Sequence, residues 1–171
     1  MTDNYDFLSK LIKKDKIEIT TQTSSHSNIE NEQYVKEQMQ DALFNKIVED
    51  SKKKFSGVRI RNNPTNCYNC HGMTFASRRT GIYDPSEVSK ILVEDKYSQI
   101  AIEDLIPGDI VVYFATNGDP EHSGIVLSIE KIGSSLVPMI VSKWGITYEV
   151  VHSVYDSPYE DLSIEYYRCK L

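Results

Sequence analysis

Apolar residues follow two different rhythms along this chain, and the change from one to the other falls near residue 57. Before it they recur at helical intervals. Tyr5, Leu8, Leu11 and Ile12 share one side of a predicted helix of about three turns, too short to be stable without a partner. Residues 20–28 lack any apolar period and read as a polar linker, with His26 a solvated residue inside it. Ser27 followed by Glu30 has the pattern of a capping box, and Val35, Met39, Ala42, Leu43 and Ile47 then trace a single stripe, which predicts a helix over 29–53.

Beyond residue 57 the pattern shortens to that of strands and turns. Asp84 and Pro85 are suited to cap and open a helix whose short face carries Val88, Ile91 and Leu92 and which closes by Asp95. Pro107-Gly108-Asp109 turns the chain into residues 110–115, a run of β-branched and aromatic residues that predicts a buried strand. Further strands are predicted at 122–130, 137–143, 148–153 and 163–169, separated by turns that carry Gly133, Gly145 and Pro158. The expected architecture is α+β. A helical extension with a polar linker occupies 1–56, and an antiparallel meander with a few helices occupies 57–171.

A length of 171 residues suits one domain with a proper core plus an appendage. Nineteen basic against 25 acidic residues give a net charge of −6, which argues against nucleic acid as a partner and favours a small neutral or cationic substrate. No apolar run approaches the ~20 residues that span a bilayer, so no membrane partner is expected. Three cysteines, without a disulfide framework or an export pattern at the N-terminus, point to a reducing cytoplasm. The alternative is an effector delivered without a signal peptide.

Cys67-Tyr68-Asn69-Cys70-His71 is the stretch richest in chemistry, and it reads several ways. C-x-x-C-H is the attachment signature of a c-type haem, but that chemistry follows export. A zinc site wants four side-chain ligands, and no second paired motif supplies them. A Cys67–Cys70 redox pair wants a thioredoxin-like βαβ context, whereas strands follow here. No cofactor or metal is therefore expected. The remaining choices for Cys70 are a small buried hydrophobe or a reactive thiol. A helix over residues 70–79 would put Cys70 at its N-terminus, where backbone N–H groups favour a thiolate and can hold an oxyanion. Gly72 would leave room for a substrate backbone. His122, entering a strand from a Gly-rich loop, is either the base for that thiol or an ordinary strand-edge histidine.

Taken together, Asn69-Cys70-His71-Gly72, then Leu105 to Tyr113 with its Pro-Gly-Asp turn, then His122-Ser123-Gly124-Ile125-Val126 resemble the core of the NlpC/P60 and CHAP cysteine peptidases and amidases. The resemblance covers residues 57–169. It implies a papain-like fold with the nucleophile helix packed on an antiparallel sheet, Cys70 as nucleophile, His122 as general base, and hydrolysis of a peptide or amide through a thioester. In this family the next strand supplies a residue that orients the histidine. Pairing across a hairpin at Gly133 would bring Ser142, Lys143 and Trp144 opposite His122. None matches the family's usual choice. Ser142 is the favoured candidate, a bare Cys70–His122 dyad stands beside it, and Lys143, Glu149 and His152 are the alternatives. Asn69 and Tyr68 are candidate helpers of the oxyanion hole. The alternative function is an inactive papain-like domain that binds or regulates a partner, with the N-terminal helices a further surface for a protein partner.

Overall fold

A computed structural model describes residues 16–34, 46, 49–50, 53–55, 57–62, 64–145, 147–159 and 161–170. The predicted helix around Tyr5 to Ile12, and most of the stripe from Val35 to Ile47, lie outside the described residues. Among them no helix is long and apolar enough to cross a membrane.

The architecture is mixed: short helices beside a seven-stranded antiparallel sheet. In chain order the elements are β1 (Lys16–Ile17), β2 (Gln33–Tyr34), β3 (Arg59–Ile60), α1 (Cys70–Phe75), α2 (Pro85–Glu94), β4 (Tyr97–Ile100), β5 (Ile110–Phe114), β6 (Pro120–Ile132), β7 (Ser135–Lys143), β8 (Glu149–Ser153) and β9 (Ser163–Cys169). The sheet runs β3-β8-β7-β6-β5-β9-β4, and β1 pairs with β2 apart from it. The five longer strands sit where the hydrophobic pattern puts them. The β6–β7 hairpin turns at Gly133, whose φ of 62° suits a residue without a Cβ, and pairs Gly124 with Ser142.

Alternation along the strands gives the sheet two distinct faces. One face meets the helices: Ile110 and Val112 of β5 pack with Leu92 of α2 and Phe75 of α1, while Val141 and Val151 pack with Met73 and Tyr68. The opposite face gathers Val111, Tyr113, Val126, Ile140 and Tyr166 beneath Val154, with Tyr159 and Leu162 against them.

The N-terminal part differs from the sequence reading. Residues 29–34 form no helical turn: Glu32 bridges to Gly81 and Gln33–Tyr34 form β2. Residues 46, 49–50 and 53–54 are helical, so the described remainder of that prediction holds. The polar stretch 20–28 turns back on itself through a Gln22–Asn28 bridge. Thr23 and Ser24 then bond the end of α2 at Glu94 and Asp95. The reason is tertiary. Ile29 is drawn into a cluster with Ala76, Ile82, Val88 and Ile91, a burial contributing about 2 kcal/mol, which outweighs a local capping signal. The composition change near residue 57 is therefore no break in packing, since Phe55 also stacks edge-on against Trp144 at 5.1 Å.

α2 starts as predicted, with Asp84 accepting from the Ser86 N–H and Pro85 at its first position. α1 is shorter than expected and ends at Phe75, because Ser77 and Arg78 take left-handed φ values of 50° and 66°. That bend folds residues 80–82 back over the helix. Asn69 fastens it: the amide oxygen accepts from both Gly72 N and Ile82 N, and the amide nitrogen donates to the Ile82 carbonyl. A Cβ on Gly72 would lie 1.7 Å from the Thr80 carbonyl oxygen. Gly72 thus makes room for the chain's own backbone, not for a substrate. Gly72→Ala is expected to lower stability by more than about 3 kcal/mol, read as a fall in the urea midpoint at constant slope.

Candidate functional site

β6 is the axis of the candidate site, and its side chains divide between the two faces of the sheet. Ser123 points toward α1. Its hydroxyl lies 2.9 Å from His71 Nδ1 and donates to Thr74 Oγ1 at 3.0 Å, and Thr74 in turn donates to the Cys70 carbonyl. The imidazole and the Ser123 hydroxyl share one proton in this contact, and the ring's tautomer sets which of them gives it. Burial holds the His71 ring neutral, its pKa lowered to about 4 even though the Pro120 carbonyl favours the charged form.

Cys70 lies at the same place, 7% exposed. The backbone N–H groups of Ser123, His71 and Cys70 favour its thiolate, as does the charge of Lys143, but loss of water outweighs them and pushes the thiol up to about 11. A six-residue helix adds little dipole to oppose that cost. Cys67 sits half-buried beside Tyr68 and Met73.

His122, one residue from Ser123, faces the other way. Its ring is wholly buried, stacked on Tyr159 with centroids 3.8 Å apart and tilted against Tyr113 at 5.3 Å. Neither ring nitrogen has a hydrogen-bond partner among the described residues. The imidazole does not reach Cys70, and the expected Cys70–His122 pair is not assembled. Burial, with His152 and His71 nearby, keeps its pKa well below the ordinary value.

Ser142 does not orient His122 either. Its hydroxyl is 2.8 Å from His152 Nε2, while His152 Nδ1 donates to the Ser153 carbonyl at 2.7 Å. With the proton on Nδ1, Nε2 accepts, so Ser142 spends its single proton on His152. His152 shares the His122 face and is held neutral by burial, its pKa lowered to about 4. Trp144 meets His152 edge-on at 5.2 Å, and its indole N–H has no hydrogen-bond partner among the described residues.

The remaining candidates lie on the helix face. Lys143 is fully buried, donates to the Thr147 carbonyl at 2.8 Å and stands over the Tyr68 ring. Glu149, 1% exposed, accepts from Tyr68 Oη at 2.7 Å and from Arg78 Nε and Nη2 at 2.6 and 3.2 Å. Burial raises the Glu149 pKa, and the bonds from Arg78 and Tyr68 reverse that and leave it below the usual range. Tyr68, desolvated and bonded to this carboxylate, is pushed up to about 12. Asn69 and Tyr68 are thus committed to structural bonds and not to an oxyanion.

The residues not foreseen are Ser123 and Thr74 beside Cys70, Arg78 on Glu149, and Tyr159 on His122. Strand parity was the available signal: if Ser123 faces the helix, His122 cannot. An open groove of about 650 Å³, lined by Glu18, Ile19, Asn31 and Glu87 among others, lies away from both faces of β6 and holds neither cysteine nor histidine. Comparison with protein-family models, curated proteins and solved structures finds no match to this chain.

Two outcomes follow from the buried charges and rings. For His71 and His152 the folded pKa of about 4 lies below the ordinary 6.5. The unfolded chain therefore binds more protons in this window, and stability falls as pH drops from about 6.5 toward 4, by roughly 3 kcal/mol per ring. Urea midpoints measured from pH 7 to 4.5 are expected to decline across that range. Arg78→Met, which removes the guanidinium bonded to Glu149, is expected to cost about 2 kcal/mol. Glu149→Gln added to it should restore much of the loss in a double-mutant cycle.

Proposed function

We propose that this chain is a papain-like α+β domain that holds a peptide- or amide-bearing partner and does not hydrolyse it. One observation carries the reading: α1 with Cys70 packs on the face of β6 that Ser123 leaves, His122 leaves the opposite face, and its ring nitrogens have no hydrogen-bond partner among the described residues. A thiol that burial keeps protonated near neutral pH needs a base to become a nucleophile. His71, the imidazole on its own side, is made a weak base by burial, which lowers its pKa to about 4. In this reading Cys70 is a packing residue that fills the junction of α1 and β6.

A second reading, a cysteine hydrolase working through a Cys70 thioester, has its own support. The sulfur begins a helix, receives backbone N–H groups and lies within the field of the buried Lys143. That arrangement suits a developing negative charge.

The pH dependence of iodoacetamide alkylation, followed at each cysteine by peptide mass spectrometry in wild type and His122→Ala, separates the two. Exposed Cys169 is expected to be alkylated in the folded chain. Cys70 is expected to react only at the rate of unfolding, with no low-pH limb. An acidic Cys70 that loses its reactivity without His122 would reject the binding reading and establish the hydrolase.

A further inference from the structure

Charge is unevenly placed along this chain. Acidic residues outnumber basic ones by 25 to 19, yet between Asp50 and Asp84 no acidic residue occurs, while Lys52 to Lys54, Arg59, Arg61, Arg78 and Arg79 all fall in that interval. The interval contains β3, which stands at the end of the strand order, so among the described residues no strand pairs with its outer side. Register decides what that edge offers. Arg59 lies opposite Val151 and Ile60 opposite Val150, and the Arg61 N–H donates to the Glu149 carbonyl at 2.8 Å. In an antiparallel ladder the residue between two hydrogen-bonded positions turns its backbone groups away from the partner strand. The N–H and C=O of Ile60 therefore point outward.

The side chains alternate to match. Val151 packs with Met73 and Tyr68 beside α1, and directly opposed residues share a face, so Arg59, and Arg61 two residues on, lie on the helix face. Val150 packs with Trp144 and Val58 on the other face, where Ile60 is 37% exposed. Both arginines are exposed. The carboxylates around them have other partners or another face. Glu149, which feels the charge of Arg61, is bonded by Arg78 and Tyr68. Asp156 lies beside Gly57 and acts on His152, on the far face, and Asp50 is 4.0 Å from Lys53. Lys54, over the Phe55 ring, adds a further cation next to the Val58 cluster. Positive charge is thus in excess along this edge.

Together these features select a partner. An edge with outward backbone groups takes up an extended chain as a further strand. Arginines at alternate positions repel a second copy of β3 and attract a strand that carries carboxylates at the same spacing. A polynucleotide has no backbone N–H to give to the Ile60 carbonyl, and the net charge of −6 opposes a long polyanion. We propose that β3 is a docking edge for an extended acidic peptide, which sets carboxylates at alternate positions against Arg59 and Arg61 and lays the apolar residue between them beside Ile60. The surface includes none of Cys70, His71, Ser123 and His122, so it stands apart from both readings of Cys70 given above.

The test is a titration of the ¹⁵N-labelled full chain, at low salt, with the end-blocked peptide Ser-Gly-Glu-Val-Glu-Gly-Ser. The peptide is expected to shift the Arg59, Ile60 and Arg61 amide resonances saturably and to slow hydrogen exchange at the Ile60 N–H. Exchanging both glutamates for glutamine should weaken the Kd by about fivefold or more, the loss of two exposed ion pairs. Exchanging the valine for proline keeps the charge but removes the N–H that meets Ile60, and should weaken it likewise. Arg59→Glu combined with Arg61→Glu should lose the acidic peptide and gain the counterpart with lysines in place of the glutamates. The proposal is overturned if the shifts do not saturate, if the glutamine or proline peptide binds as well as the parent, or if the double reversal leaves the Kd unchanged. Should the double reversal lose spectral dispersion, Arg59→Gln combined with Arg61→Gln decides, and an unchanged Kd overturns the proposal. Displacement of the peptide by oligothymidylate or phosphatidylserine vesicles at equal charge marks a general anion surface and overturns it too. None of these results bears on the alkylation of Cys70, which tests the reading above by itself.

Discussion

Successive side chains of a strand leave opposite faces of its sheet, and in β6 that rule governs the chemistry of the molecule. Pairing of Val112 with Ser123 and of Tyr113 with His122 fixes the parity. From it, Ser123 joins Cys70 and His71 under α1, while His122 joins Tyr113 and Tyr159 on the far side. A shift of one residue would exchange the two sets and would also drive Val126 out of its cluster, so the register is held by the core and not by the polar groups.

On the helix side, polar groups are saturated in a way that leaves α1 little freedom. Asn69 ties both ends of the bend that follows the helix, and Ser123 and Thr74 pass a line of donors to the Cys70 carbonyl. Glu149 gathers Tyr68 and Arg78. A corresponding clamp acts at the other end of the sheet, where Asp109 of the Pro-Gly-Asp turn accepts from Arg168 of β9 through both oxygens and from Ile106 N. The Arg168 guanidinium holds the Asp109 carboxyl below the usual range. These interior polar groups are bonded, whereas both ring nitrogens of His122 and the indole nitrogen of Trp144 have no hydrogen-bond partner among the described residues.

Much of the sheet was legible because β5 to β9 carry long runs of β-branched residues with turn residues between them. The short pieces were not. Tyr97-Ser98-Gln99-Ile100 has no strong period and becomes a strand only by pairing with β9, and Arg59–Ile60 does so only against β8. Ser27 and Glu30 carried a true local signal for a helix start, but Ile29 found more apolar contact beneath α2 than a helix would have given it. At the site, residue types were readable and their facing was not. Whether Cys70 meets His122 or Ser123 depends on how α1 lies across β6, a relation between segments far apart in sequence. Gly72 shows the same limit: its lack of a side chain was visible, and the Thr80 carbonyl it accommodates was not.

The place of β9 within the sheet bears on how the chain comes together as it leaves the ribosome. β9 follows every other strand in sequence yet lies inside the sheet, hydrogen-bonded to β5 on one side and β4 on the other. Until residues through Cys169 have emerged, β5 keeps an open edge of unpaired backbone groups and β4 has no strand to join. Such an edge is the kind of surface that recruits other chains. The nascent sheet must therefore wait for β9, and it is most exposed to misassociation during the short interval before that strand slots between its neighbours.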